Sequence, residues 1–427
     1  MPTPSKAGAS STITPEIWFE IFQIATFIPN EWDVAASRID MGTFCSSKFQ
    51  GEAYYSVLPL RRSIVEVCRL WHKIGTKLLY ASFHCAHLDS EESIYRLAGF
   101  AHVLLARPDL GRLVKRLSLR WSPTITDNEL IIHHCPNAII FSSFLKRASS
   151  FSSTWVRYLP ESLRGLEANV DGMSMSEIMK ILFTLPNLEL LYMYELGKEE
   201  SPLQYPGLRF PALRLLTLKF SSLKAIKTWV PVLSRLNAPK LTAFKTDMGV
   251  LSSAVSSFPR GIWEGITSFE LIFKGYRYIQ PPYLLNLRHL ILPIMVDQVL
   301  PKLQKHFPFH QLETLTLSLE DLHTIDVKEW RPFIRQLLAF PLDTQKMPSL
   351  RVLELDWTLR NLEASVKCEI SHREVLTEFL TTLSELAVQL EKRGVRFLEV
   401  QRLVVYHTPA LIQGVVADCK KYVLESR

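Results

Sequence analysis

Glycine is scarce in this chain, 16 residues in 427, and none of them builds the clustered loop that would cradle a phosphate. The Gly-x-Ser-x-Gly elbow of a hydrolase and the His-Glu-x-x-His pair of a zinc protease are also missing. No stretch approaches the roughly 18 uninterrupted apolar residues that a membrane-spanning helix needs. The first residues lack the charged-then-apolar profile of a secretory signal. Cysteine numbers six, and Cys45, Cys68, Cys85, Cys135, Cys368 and Cys419 are too dispersed for a disulfide scaffold. They read as reduced thiols, which places the chain in the cytoplasm, the nucleus or both. Net charge is +7, spread as short basic runs such as Lys115-Arg116, with no nucleic-acid signature.

What the chain has instead is a cadence. Leu188-x-x-Leu191-x-Met193, Leu213-x-x-Leu216-x-Leu218, Leu287-x-x-Leu290-x-Leu292, Leu312-x-x-Leu315-x-Leu317 and Leu350-x-x-Leu353-x-Leu355 repeat one pattern. Weaker copies begin at Val114, Ala138, Leu163, Leu241 and Ile266. A spacing of about 25 residues marks a solenoid, in which each unit is too small to bury its apolar face alone. Pro136, Pro186, Pro211, Pro239 and Pro348 each precede a first position by two residues, where they end a helix and suit strand entry. Thr126 to Glu129 and Ser174 to Glu177 have capping-box spacing. The expected unit is strand, turn, helix, proline, strand. The long interval from Leu312 to Leu350 holds either a degenerate repeat or an extended connection.

The pattern resembles a leucine-rich repeat without the family's asparagine ladder, which implies an irregular α/β solenoid shaped as a horseshoe. Side chains alternate along a strand, so residues between the leucines share the concave face. Arg120, Glu167, Asn169, Tyr192, Tyr194, Thr217, Lys219, Lys245, Glu270, Thr316 and Glu354 are the candidate substrate-binding residues there. Tyr192 and Tyr194 are the best anchors, because aromatics are enriched at binding hot spots. Ten strands at the usual spacing span on the order of 45 Å, which suits a macromolecule rather than a metabolite. The alternative is an ordinary polar sheet face, with any ligand at the loops or at one end.

Residues 12–85 fall outside the period. Thr14, Pro15 and Glu16 have the order of a hydroxyl cap, a first-turn proline and an acid at the positive end of a helix. Ile17, Trp18, Ile21, Phe22 and Ala25 then form one stripe, and Leu60, Ile64, Val67, Cys68, Trp71, Ile74 and Leu78 a second. Residues 29–58 read as a loop-rich insertion. Pro15 to Phe22 resembles the opening of an F-box, and Val67-Cys68-Arg69-Leu70-Trp71-His72 resembles its second half. Lys77-Leu78-Leu79-Tyr80 and Leu110 to Leu117 are similar to segments of fungal F-box-like proteins that carry leucine-rich repeats. Thr14 replaces the family's leading Leu, and the stretch from Phe22 to Val67 exceeds the usual spacing.

The resemblance implies a non-catalytic substrate receptor of a cullin–RING ubiquitin ligase. Its F-box would dock on a Skp-type adaptor, and its repeats would bind a protein substrate. Pro15, Ile17, Trp18, Ile21, Phe22, Val67, Cys68 and Trp71 are then the adaptor-binding candidates. Trp18 and Trp71 serve equally as the module's own core, and an interaction scaffold that no longer engages the ligase is the competing reading. No cofactor is expected. His84, Cys85 and His87, and His133, His134 and Cys135, are two local clusters, each short of the four ligands a structural zinc takes. The domain reading is a disordered tail over 1–11, the F-box-like module over 12–85, and repeats over 86–427. A C-terminal cap starts at about Ser371, with a helix through Leu390 ended by Gly394 and a last strand over 395–406.

Overall fold

A computed structural model describes residues 13–26, 28, 47–85, 90–120, 125–144, 158–170, 173–197, 207–247, 259–272, 285–293, 310–319, 347–360 and 385–404. Two compact units make up the chain, Met1–Ala225 and Ile226–Arg427. The expected boundary after residue 85 is internal to the first unit.

The first unit opens with three helices, α1 (Pro15–Ala25), α2 (Ser47–Val67) and α3 (Arg69–Tyr80). Strand β1 (Ser82–His84) follows, then α4 (Ser90–Ala106), α5 (Pro108–Gly111), β2 (Arg116–Arg120), α6 (Ile125–His134) and β3 (Ile140–Phe144). Next come β4 (Gly165–Asn169), α7 (Met175–Thr184), β5 (Leu190–Leu196) and β6 (Leu215–Phe220). Helix α8 (Leu223–Leu233) carries the chain into the second unit. That unit holds β7 (Ala243–Asp247), α9 (Arg260–Gly265), β8 (Ser268–Ile272), β9 (His289–Pro293), β10 (Thr314–Leu319), β11 (Val352–Arg360) and β12 (Arg396–Val404).

Within each unit the strands are parallel and neighbour one another in chain order, β1 to β6 and β7 to β12. This open α/β arrangement is what the period predicts. The second positions align step by step. Leu117, Phe141, Leu166, Leu191 and Leu216 are consecutive partners in the first unit, and Phe244, Phe269, Leu290, Leu315 and Leu353 in the second. All ten first positions are buried, from Val114 to Leu350. Helices cover the second-position face: Phe100 of α4 stacks on Phe83 at 4.0 Å, and Trp263 of α9 meets the Phe244 ring edge-on at 5.8 Å.

The prolines have a more specific part than ending a helix. Leu213 donates its N–H to the Phe210 carbonyl at 3.2 Å, closing a four-residue turn with Pro211 second. Leu188, Leu241, Ala138 and Leu350 close the same turn on Leu185, Ala238, Cys135 and Met347. Proline at the second place of a turn has its φ already set and lacks only an N–H that the turn does not use. Within each unit the residue after a first position then donates to its counterpart one repeat earlier. Arg164 donates to Ile139 at 2.8 Å and Glu189 to Arg164 at 2.7 Å, while Glu313 donates to Arg288 and Arg351 to Glu313, each at 2.8 Å.

The family's asparagine ladder is absent, but another side-chain ladder exists one residue before the first position. Asn137 donates to the Arg112 carbonyl at 2.9 Å, Ser162 to Pro136 at 3.1 Å, Asn286 to Glu264 at 2.8 Å and Ser349 to His310 at 2.6 Å. Each polar side chain satisfies a turn carbonyl that the strand ladder leaves over.

Several local expectations need correction. Residues 47–58 are helical, because α2 runs on through Pro59 while Tyr54 and Leu58 pack against Ile28. The stripe from Leu60 to Leu78 belongs to two helices, since Cys68 is extended (φ −160°, ψ 170°) between α2 and α3. Thr14 occupies the N-cap of α1 without a side-chain capping bond. Thr126 lies inside α6 rather than at its N-cap, whereas the Ser174–Glu177 box is complete. Strand β10 pairs directly with β11, and residues 320–346 of the long interval between them lie outside the described residues. Strand β1 went unread, and it adds a rung before the first one. The expected cap start at Ser371 lies outside the described residues. Residues 385–391 are helical with Leu386 and Leu390 buried, and Gly394 ends the turn with φ +73°.

Leu213→Ala removes a fully buried first position and is expected to cost about 2–5 kcal/mol in urea denaturation, against about 1 kcal/mol for Asn137→Ala. Gly111→Ala places a Cβ at 2.1 Å from the His134 carbonyl oxygen and is expected to lower the melting temperature by displacing α5 from α6.

Candidate binding surfaces

Helix α1 is apolar on two sides. One side turns inward: Phe22 is buried with Ile64, Ile74 and Leu78, and Trp18, Phe19 and Trp71 pack on that cluster. The rings of Trp18, Phe22 and Trp71 form a triangle with centroids 5.5, 4.9 and 4.7 Å apart. Of the eight adaptor candidates, Phe22 therefore lies in the core of the helical module, with Trp18 and Trp71 half-buried against it. The other side of α1 turns outward. Ile17 is 48% exposed, Ile21 41% and Ile24 76%, and their spacing places all three on one helical stripe. Pro15, Val67 and Cys68 are exposed as well, and so is Leu70 at the start of α3. Ile24 and Leu70 were missed in the sequence, although Ile24 continues the Ile17–Ile21 spacing by one turn.

The turn into α3 is built by Cys68, whose carbonyl accepts from the His72 N–H at 2.8 Å. At the start of α1, the Glu16 carboxylate accepts from its own backbone N–H and from the Thr14 hydroxyl, which holds its pKa below the usual value. Such a depressed carboxylate stabilises the helix end above its unfolded pKa and loses that contribution as pH falls through the folded one.

The strand register brings the concave-face candidates together in two sets. In the first unit Glu167, Tyr192 and Thr217 are direct partners, and Asn169 pairs with Tyr194 one step further along. Glu167 and Tyr192 are each 5% exposed and Thr217 is fully buried. Tyr194 and Lys219 are half-buried, and the Tyr194 hydroxyl donates to Glu167 at 3.1 Å. Arg120 lies in β2 opposite Phe144, with its side chain outside the described set. In the second unit Lys245, Glu270, Ile291, Thr316 and Glu354 form one row. Lys245 pairs with Glu270, and the Thr316 hydroxyl donates to Glu354 at 3.0 Å. The charges of these rows are thus largely met by their neighbours on the next strand. Tyr194 is the aromatic of the set with surface left over.

His84 and Cys85 are buried, and the Cys85 thiol points at the Ser118 carbonyl at 3.4 Å. His87 is outside the described residues. Cys135 is buried, which pushes its thiol up to about 12, while His133 beside it is exposed at the end of α6. Among the described residues no three His, Cys, Asp or Glu side chains converge as a metal site. No helix among them is long and apolar enough to cross a membrane.

Comparison of the sequence with known protein families and with curated proteins finds no match.

Site-resolved alkylation at pH 8 is expected to label Cys68 rapidly in the native chain and to reach Cys85 and Cys135 only after denaturation. The thiolate is the reacting form; burial disfavours it at Cys135 and shields both Cys85 and Cys135 from the reagent.

Proposed function

We infer that the chain is a non-catalytic substrate receptor of a cullin–RING ubiquitin ligase, in which α1 and α3 dock a Skp-type adaptor and the leucine-rich-repeat-like strands bind a protein substrate. The single observation that carries this reading is the outward stripe of Ile17, Ile21 and Ile24 on α1. Three large apolar side chains on one exposed helical face cost solubility and fit the helix-in-groove mode of recognition. The resemblance of Pro15 to Phe22 and Val67 to His72 to the two halves of an F-box names the groove's owner. It is supported by the pairing of those two segments through Trp18 and Trp71. The parallel strands supply the second half of the reading, a long face with Tyr194 as its anchor.

The extended spacing from Phe22 to Val67, part of it the long helix α2, favours the second reading, a scaffold that has left the ligase. The two separate in one experiment. Full-length chain carrying Ile17→Asp and Ile21→Asp is expected to lose capture of a purified Skp-type adaptor at least tenfold, with an unchanged circular dichroism spectrum. Absence of capture by the unaltered folded chain would select the scaffold. Trp71→Ala, by contrast, is expected to destabilise the module by up to about 3 kcal/mol, because that half-buried ring packs on its core.

A further inference from the structure

Helix α4 is buried along one side only. Leu97, Ala101 and Leu104 lie in the core, and Phe100 stacks on Phe83. The opposite side turns outward and is apolar. Tyr95 is 77% exposed, Leu105 56% and Ile94 38%, with Ala98, Gly99, His102 and Ala106 exposed among them. From Leu97 to Ala106 the helix carries no charged residue. The outward face of a surface helix ordinarily carries charge, so an uncharged face with three large apolar side chains marks a contact surface.

Gly99 adds an observation that does not depend on polarity. It sits in the interior of α4 without a positive φ, and a Cβ there would meet nothing within 4 Å. Glycine inside a helix costs about 1 kcal/mol relative to alanine, and no close approach within the chain calls for it here. Its effect is to leave the helix backbone open to close approach from outside.

The order of side chains along the face indicates what approaches it. The exposed residues fall in pairs equally distant from Phe100: Tyr95 with Leu105, Ile94 with Ala106, and Ala98 with His102. We propose that this face is a homodimer interface, in which α4 packs antiparallel on α4 of a second copy about a two-fold axis level with Phe100. That symmetry sets Tyr95 against the second copy's Leu105, Ile94 against its Ala106 and Ala98 against its His102, each contact being made twice. In the last two pairs a larger side chain meets an alanine, and Gly99 lets the helix axes come close. A patch that matches itself about its own midpoint closes after two copies, whereas one that needed a different surface of the chain would continue into rings or filaments. One helix pair falls at the low end of the roughly 1,200–2,000 Å² of specific interfaces, so a micromolar dimer is expected. None of these residues belongs to the isoleucine stripe of α1, so the inference does not rest on adaptor docking.

The test is sedimentation equilibrium of the full chain at about 1–200 μM, where a reversible monomer–dimer equilibrium is expected. Gly99→Glu puts a charge at the middle of the face, where a side chain has room. It is expected to raise the dimer dissociation constant at least tenfold without lowering the melting temperature. Leu105→Glu, at the rim, is expected to act in the same direction. A chain that stays monomeric throughout overturns the proposal and leaves the face to a partner of other sequence. Association that runs past the dimer overturns it too, and so does a dimer that the folded Gly99→Glu and Leu105→Glu chains both retain. A dimer lost with Ile17→Asp and Ile21→Asp but kept with Gly99→Glu belongs to α1 and likewise counts against it.

Discussion

Everything in this fold depends on a repeated step of backbone hydrogen bonding. Among the described residues a turn closes on the residue three before eight of the ten first positions, and within each unit the residue after a first position donates to its counterpart in the preceding repeat. That step locks strand register, and register in turn puts every second-position side chain against the next. A one-residue slip would exchange the faces of the strand and drive Leu191 or Leu315 out of the core. The Asn and Ser side chains at the turns hold the same geometry from outside the sheet. In place of an asparagine ladder they set a polar residue one place before the first position, at Asn137, Ser162, Asn286 and Ser349.

The repeat was legible because its physical cause is local. Apolar triplets at fixed spacing and a proline at the second place of a turn both act within a few residues, so even the weak copy at Ala138 marks a real strand. Strand β1 was illegible for the converse reason. Its triplet is Tyr80, Phe83 and Cys85, without a leucine, and it follows a helix with a single residue between. The beginning of α2 was hidden by Pro59 and by the polar residues ahead of Tyr54. Helix propensity there yields to the packing of Tyr54 and Leu58 on Ile28, a contact between distant residues.

The same distinction governs the candidate surfaces. Helical spacing groups Trp18 with Phe22, and Ile17 with Ile21, but α1 is apolar on both sides. Only the approach of α3 decides which group becomes core, and Trp71 selects the tryptophan side. Alternation along the strands correctly groups Glu167, Tyr192 and Thr217 on one face. Their burial was not legible, because it depends on the size of the side chains one strand away. What remains outward is an isoleucine stripe on the helical module and a partly open Tyr194 on the repeats. The ligase reading needs two such surfaces on one chain, with chemistry left to other subunits.

Amide hydrogen exchange of the full chain, with and without a purified Skp-type adaptor, addresses the central claim most directly. The account predicts slowed exchange in α1 and at the start of α3, with the strands unchanged. Exchange in α1 that is the same with and without a saturating adaptor would contradict it.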